Sequence, residues 1–328
     1  MENIKYCNSN NYKNLKFFLT NNWKNISAIL TNKKLFDWYY LNKKNKKYNF
    51  LILNLKKEIK SCLGIIINKN EFKNIFWLTF WLSPSKGIFG FKILVYLLKN
   101  FKNCIIASNG ISLKTVPFYK LLGFKIVNLN HYYIINNNLR KFHLIKFKRI
   151  KFKKIKKNKT NIVICSNLKF YKLNNLKKYE NFFFKDYNYF KNKYFFHPIY
   201  RYQFYLVYEK GFLLGFFVGR VSKFKGSKAL RFVEYFGDLD VLKKIKYSLN
   251  KLLKNSKYEY IDFYNYGINS KYIKNSGLQK NNYKNIIIPN YFEPFQKKNI
   301  KIKSVFYPYY SKLIIFKGDG DQDRPSVI

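Results

Sequence analysis

Apolar residues gather in short runs separated by stretches rich in lysine and asparagine. Tyr48 to Leu55 (YNFLILNL) and Ser61 to Ile67 (SCLGIII) are two such runs, and the charged LKKEIK between them predicts a hairpin turn. Ile75 to Leu82 (IFWLTFWL) reads as a fully buried strand ended by Ser83-Pro84. After Gly87 to Gly90 the period changes. Phe91, Ile93, Leu94, Leu97, Leu98 and Phe101 follow helical spacing. Cys104 to Ala107 predicts a short strand, Ser112 to Leu122 a helical segment capped by Gly123, and Phe124 to Asn130 and His131 to Ile135 two tightly joined strands. Strand, strand, strand, glycine loop, helix, strand, helix, strand is the order of a mixed α/β sheet.

A similar order returns later. Phe204 to Tyr208 and Phe212 to Val221 predict a hairpin, Ala229 to Phe236 a strand ended by Gly237-Asp238, and Val241 to Leu253 a helix. Tyr258 to Tyr264 predicts a further strand and Ser270 to Ser276 a helix ended by Gly277. The recurrence predicts an internal duplication. Between the halves, His143 to Lys159 alternates apolar with basic residues and ends in a basic run. It reads as a linker able to pair at a sheet edge, or as an arm facing nucleic acid or membrane. The expected division is residues 1–138, a basic linker at 139–160, and residues 161–328.

Composition limits the partners. Lys and Arg number 64 against 16 Asp and Glu, a formal charge of +48. That excess suits polyanions. The abundance of Lys, Asn, Ile, Phe and Tyr, all with AT-rich codons, is equally explained by drift in base composition. Apolar residues make up 48% of the 328, enough for a core in each of two domains. Cys7, Cys62, Cys104 and Cys165 are widely spaced and form no CxxC pair, so they predict free thiols and no zinc site. Met1 to Asn11 has no apolar signal core, and the longest helical apolar stretch, Ile88 to Leu98, contains Lys92 and is too short for a bilayer. A cytoplasmic protein, at most peripheral to a membrane, is expected.

The chemistry concentrates at Trp81 to Phe124. A loop opening a helix presents unpaired N–H groups to anions, and Lys86 adds a charge beside Gly87, Ile88, Phe89 and Gly90. Downstream stand Asn109 and the run Tyr119-Lys-Leu-Leu-Gly123-Phe124. These residues resemble the GCN5-related N-acetyltransferases. Members carry a Q/R-x-x-G-x-G/A loop that cradles acetyl-CoA and an N…Y-x-k-x-G-F motif whose Tyr protonates the departing thiolate. Tyr119, Gly123 and Phe124 match the second motif, while the two loop glycines stand at a different spacing. The resemblance implies two such domains in tandem, the second degenerate. It further implies acetyl-CoA held by Lys86 to Gly90 and Asn109, with Tyr119 as acid. Superfamily members often hold a Glu base on the strand before the loop. Ile75 to Leu82 has no carboxylate, which leaves His131 as the candidate base there, with a structural histidine as the alternative.

In the second half Phe236-Gly237-Asp238-Leu239-Asp240 replaces the glycine loop, and its carboxylates would repel a pyrophosphate. Glu234 and Asp262 lie on apolar strands, where each could hold a substrate amine, act as base, or be a paired structural carboxylate. The tail Lys317-Gly-Asp319-Gly-Asp321-Gln-Asp323-Arg324-Pro325 places three Asp within five residues, which AT drift does not supply. No Glu follows at an EF-hand twelfth position, so no metal is expected. The tail reads either as solvated or as an acceptor contact through Asp319, Asp321, Asp323 and Arg324. Similar tails occur in acyltransferase-like proteins of surface-glycan gene clusters. The leading expectation is acetyl or formyl transfer to a nucleotide-linked amino sugar in surface polysaccharide (lipopolysaccharide, capsule or flagellar glycan) biosynthesis. The alternatives are a Fem-like transferase using aminoacyl-tRNA, and a non-catalytic basic protein bound to RNA or membrane.

Overall fold

The computed structural model describes residues 2–23, 27–69, 74–84, 87–147, 160–165, 182 and 185–326. Lys86 and most of the basic linker, 148–159, lie outside these residues. In chain order the principal elements begin with β1 (Glu2–Asn8), α1 (Tyr12–Asn22), α2 (Ala28–Thr31), α3 (Lys33–Tyr40), β2 (Lys47–Leu55), β3 (Glu58–Asn68) and β4 (Asn74–Leu82). Then come α4 (Ile88–Asn100), β5 (Cys104–Asn109), α5 (Val116–Leu121), β6 (Lys125–Asn128) and β7 (Asn130–Ile135). The rest are β8 (Thr160–Cys165), β9 (Gln203–Glu209), β10 (Phe212–Phe224), β11 (Ser227–Gly237), α6 (Lys246–Ser256), β12 (Tyr260–Tyr266), β13 (Lys303–Tyr307) and β14 (Ile315–Phe316).

The chain forms two compact units. The first is Met1–Val127 with Lys303–Tyr310 and Asp319–Ile328; the second is Asn128–Ile302 with Ser311–Gly318. Each contains one mixed sheet, so the fold is α/β as expected. In the first unit the order is β1-β2-β3-β4-β5-β13-β6, with β4 and β5 parallel. In the second, β8-β9-β10-β11-β12-β7 run in that order, with β11 and β12 parallel and β14 added to β12. The two strands read as a tight pair after Gly123 therefore part company. β6 stays in the first sheet, while β7 pairs antiparallel with β12, Tyr260 opposite Ile135 and Asn265 opposite Asn130. β13 takes a place beside β5 in the first sheet.

Both faces of the first sheet are covered. On one, Ile93, Leu94 and Leu97 of α4 bury against Leu51, Leu53, Leu63, Ile65, Phe76 and Leu78, the helical spacing meeting the alternation of the strands. On the other, the helices α1–α3 bring Phe36 and Tyr40 onto Phe50, with ring centroids 5.4 and 4.6 Å apart. Cys7, Cys62 and Cys104 are buried free thiols. Burial pushes the Cys7 thiol to about 12, which removes it from thiolate chemistry at neutral pH. Among the described residues no helix is long and apolar enough to cross a membrane.

Candidate functional site

The site begins with a fault in β4. Cys62 pairs with Leu82 and Gly64 with Thr79, so two steps along β3 face three along β4. One residue of β4 is extra, a β-bulge. Phe80 absorbs it at φ 42°, the left-handed region that a bulky residue adopts only under constraint. The bulge also breaks the alternation of faces. Thr79 and Phe80 point the same way: Thr79 Oγ1 lies 3.0 Å from the Tyr40 hydroxyl, and the Phe80 ring packs 4.9 Å from that of Trp23. Trp81 then points to the other face and meets Phe118 and Tyr119 of α5, at 5.8 and 5.2 Å.

Just before the bulge the sheet opens. The parallel pairing of β4 with β5 runs from Asn74 opposite Cys104 to Trp77 opposite Ala107 and stops there, although both strands continue. Ser108 bridges the start of the opening, its hydroxyl donating to the Leu78 carbonyl at 2.8 Å. The Tyr119 hydroxyl hydrogen-bonds to Ser108, and burial pushes its pKa well up. Tyr119 therefore keeps its proton at any working pH and acts as a donor.

At the end of β4 stands the start of α4. Gly87 is the N-cap residue at φ 80°, with no side-chain cap, and Phe118 lies 3.1 Å from where a Cβ would be. Gly90 donates its N–H to Ser83 Oγ at 3.2 Å, and a Cβ there would meet Trp81 Nε1 at 2.7 Å. That indole N–H is buried without a hydrogen-bond partner among the described residues. The N–H groups of Ile88 and Phe89 at the start of α4, a glycine-only approach and an idle donor make a place suited to a phosphate and an amide-bearing chain.

The tail is buried. Asp319, Asp321 and Asp323 are 0%, 6% and 6% exposed, so the solvated reading is corrected. It runs on the face of Trp77 and Phe80. Gly320 sits 3.5 Å from the Trp77 side chain, counted from an added Cβ. Arg324 pairs with Asp321 and stacks over the Phe80 ring at 4.7 Å. Tyr39 and Tyr40 are pushed up by burial first and then by the charge of Asp321. Asn109, expected at a cofactor, holds this tail: its Nδ2 donates to the Asp319 carbonyl at 3.0 Å and its Oδ1 accepts from Ser304 at 2.7 Å. The tail thus lies on the bulge from the side opposite Trp81 and Tyr119. Tyr40, Thr79, Phe80 and Ser108 escaped the sequence reading; the one signal was the excess of bulky residues in IFWLTFWL.

The remaining candidates fall in the second unit, and two come together there. His131 Nε2 lies 3.2 Å from Asp262 Oδ2, and Asn281 Nδ2 lies 3.3 Å from His131 Nδ1, which makes Nε2–H the donor. Arg231 grips Asp262 with both Nε and Nη2, at 3.0 and 2.7 Å. Burial depresses the His131 pKa, against the pull of Asp262. Burial alone would raise Asp262, but Arg231 and His131 hold it well below the usual carboxylate range. All three are buried and His131 stacks on Tyr264 at 3.9 Å. His131 therefore belongs to an interior network of the second unit. Glu234 accepts from Lys185, from Tyr189 at 3.0 Å and from Tyr194 at 2.7 Å, fully enclosed. The parting of β11 from β12 is filled by the chain itself: Phe316 pairs with Asn265, and Gly318 N–H donates to the Val233 carbonyl at 2.7 Å.

No family model and no curated protein matches the sequence. Solved structures do match the fold. A conserved protein of Enterococcus faecalis V583, named a probable N-acyltransferase, superimposes with a TM-score of 0.57 at 11% identity, over 93% of this chain and 72% of its own. A GCN5-related N-acetyltransferase of Anabaena variabilis does so with a TM-score of 0.54 at 8% identity, over the same shares of the two chains. The fold is that of the GCN5-related N-acetyltransferases. At such identities the likeness speaks for architecture, and the chemistry has to be argued from this chain's own residues.

Proposed function

We propose that the first unit is an acyl-CoA-dependent N-acyltransferase. The observation that carries this reading is the opening between β4 and β5, with the Phe80 bulge on its margin and the uncapped start of α4 at its end. The residues present suit the donor. The α4 N–H groups of Ile88 and Phe89, with Gly87 and Gly90 leaving room, would take the pyrophosphate, Lys86 would add charge, and Trp81 Nε1 would take an amide carbonyl of the pantetheine arm. Acyl-CoA would supply the activated thioester; the neutral acceptor nitrogen bonds to its carbonyl carbon as the carbon–sulfur bond breaks, and the nitrogen's surplus proton passes to water, which restores the proton that Tyr119 gives up. Tyr119 gives its proton to the departing sulfur, and a backbone N–H freed from the ladder by the bulge steadies the carbonyl oxygen.

On the opposite face the tail meets the acceptor. Asp319, Asp321 and Asp323 would draw an amine by charge, Arg324 fixes Asp321, and Trp77, Phe80 and Tyr40, buried beneath the tail, hold it in place. Carboxylates suit the amine of an amino sugar, and the positive charge of the chain suits a nucleotide joined to it. Acetyl or formyl transfer to such a sugar, for a surface polysaccharide, is the reading we favour. The second unit, whose corresponding opening is filled by residues 315–318, serves as support.

Thermal-shift titration of the whole chain with acetyl-CoA, CoA and bulk tRNA, at low and high salt, tests the donor. A saturable shift with CoA that survives salt is expected. No CoA shift, with a salt-sensitive tRNA shift in its place, would overturn the reading in favour of an aminoacyl-tRNA donor.

A further inference from the structure

A soluble surface helix turns its apolar side inward, and the outer edge of α5 does the opposite. Leu113 and Leu121 are 71% and 74% exposed, and with exposed Pro117 they stand four residues apart along the segment from Leu113 to Leu121. The edge continues onto β13. The Tyr307 ring comes 3.7 Å from the Cβ position of Gly123 and 5.5 Å from the Phe124 ring. Tyr307 is itself 40% exposed, and Tyr309 beyond it 62%. Lysines are interleaved with these side chains: Lys114 and Lys120 are exposed on the helical segment, and Lys125 lies 5.7 Å over the Tyr309 ring. The chain supplies no acid to this region. No Asp or Glu occurs between Glu71 and Glu180, nor between Glu293 and Asp319.

We propose that this face docks on an anionic lipid surface. Aliphatic side chains gain from removal from water, and tyrosines place a ring at the boundary with the hydroxyl outward. Lysines extend their stems along apolar surface and keep the charge at the headgroups. Leu113, Pro117 and Leu121 offer no flat platform for a base, which sets the patch apart from a single-strand nucleic-acid groove. The face lies on the surface and does not span, in keeping with the absence of a crossing helix among the described residues. It adjoins the catalytic opening without forming part of it, so it stands or falls apart from the acyl-transfer reading.

Co-sedimentation of the full chain with vesicles of phosphatidylcholine mixed with phosphatidylglycerol, against phosphatidylcholine alone, is the test. Binding is expected on the anionic vesicles and not on the neutral ones, weakening with salt. Leu121→Asp with Tyr309→Asp should lower the partition by about tenfold or more, and so should Lys114→Glu with Lys120→Glu. All four positions are exposed, so the melting temperature should stay put. Equal binding to both vesicle types, binding untouched by either pair of substitutions, or loss of vesicle binding to competing single-stranded RNA would each overturn the proposal.

Discussion

Tyr119 and His131 stand twelve residues apart in sequence and do unlike work. Tyr119 is held by Ser108 at the opening of the first sheet with its proton kept by burial. Tyr119→Phe should lower kcat by about a hundredfold or more, the usual worth of a placed acid, while the thermal shift with CoA persists. His131 is neutral in the folded chain because burial depresses its pKa. In the unfolded chain it takes a proton near pH 6.5. Its contribution to stability is therefore whole above about pH 6.5 and falls as the pH drops below that value. Denaturant unfolding at a series of pH values should show this slope, and His131→Asn should flatten it. Asp262 adds a separate loss at lower pH, since its depressed pKa makes its contribution present above about 3.9 and lost as the pH falls further. The match of Tyr119 to Gly123 and Phe124 was legible because that spacing is local. The company of His131 was not, since Asp262 and Asn281 lie 131 and 150 residues away along the chain.

Among elements, the best-read ones were those whose burial is written in their own period. α4 shows Ile93, Leu94 and Leu97 inward, and β2, β3 and β4 appear in order with ends shifted by at most a few residues. The helix expected from Val241 to Leu253 instead begins as a 3₁₀ segment, Leu239–Lys244, before α6. β13 was missed because it is only five residues long, is cut off by Pro308 and finds its partner β5 almost two hundred residues back along the chain. The bulge in β4 was missed for a related reason. An extra residue shows only against a partner strand. The close approach of Gly90 to Trp81 is a sharper test of the opening. Gly90→Val forces the indole away, and should abolish the CoA-induced thermal shift while leaving circular dichroism close to that of the parent chain.

Across the whole molecule, the units are not consecutive stretches of sequence. The chain leaves the first at Val127, returns at Lys303, leaves again after Tyr310 and returns at Asp319. Local patterns cannot announce such exchanges, because an apolar strand is equally apolar in either sheet. The tail deceived for the same reason. Of the two readings of its three aspartates, the solvated one falls once Asn109, Phe80 and Arg324 are seen around them. A fragment of residues 1–138 lacks β13 and the tail, and carries β7 without its partner β12. It should show no cooperative thermal transition, and a sharp melt from that fragment would disprove the dependence. The threading also sets an order of events during synthesis. The second unit's strands up to β12 emerge before the pieces that finish the first, namely residues 303–310 and then 319–326. The first sheet must wait, lacking β13, while about two hundred later residues leave the ribosome (about ten seconds or more at ordinary elongation rates). A chain released early in that interval would carry the start of α4 and lack β13 and the tail, and so could not finish folding.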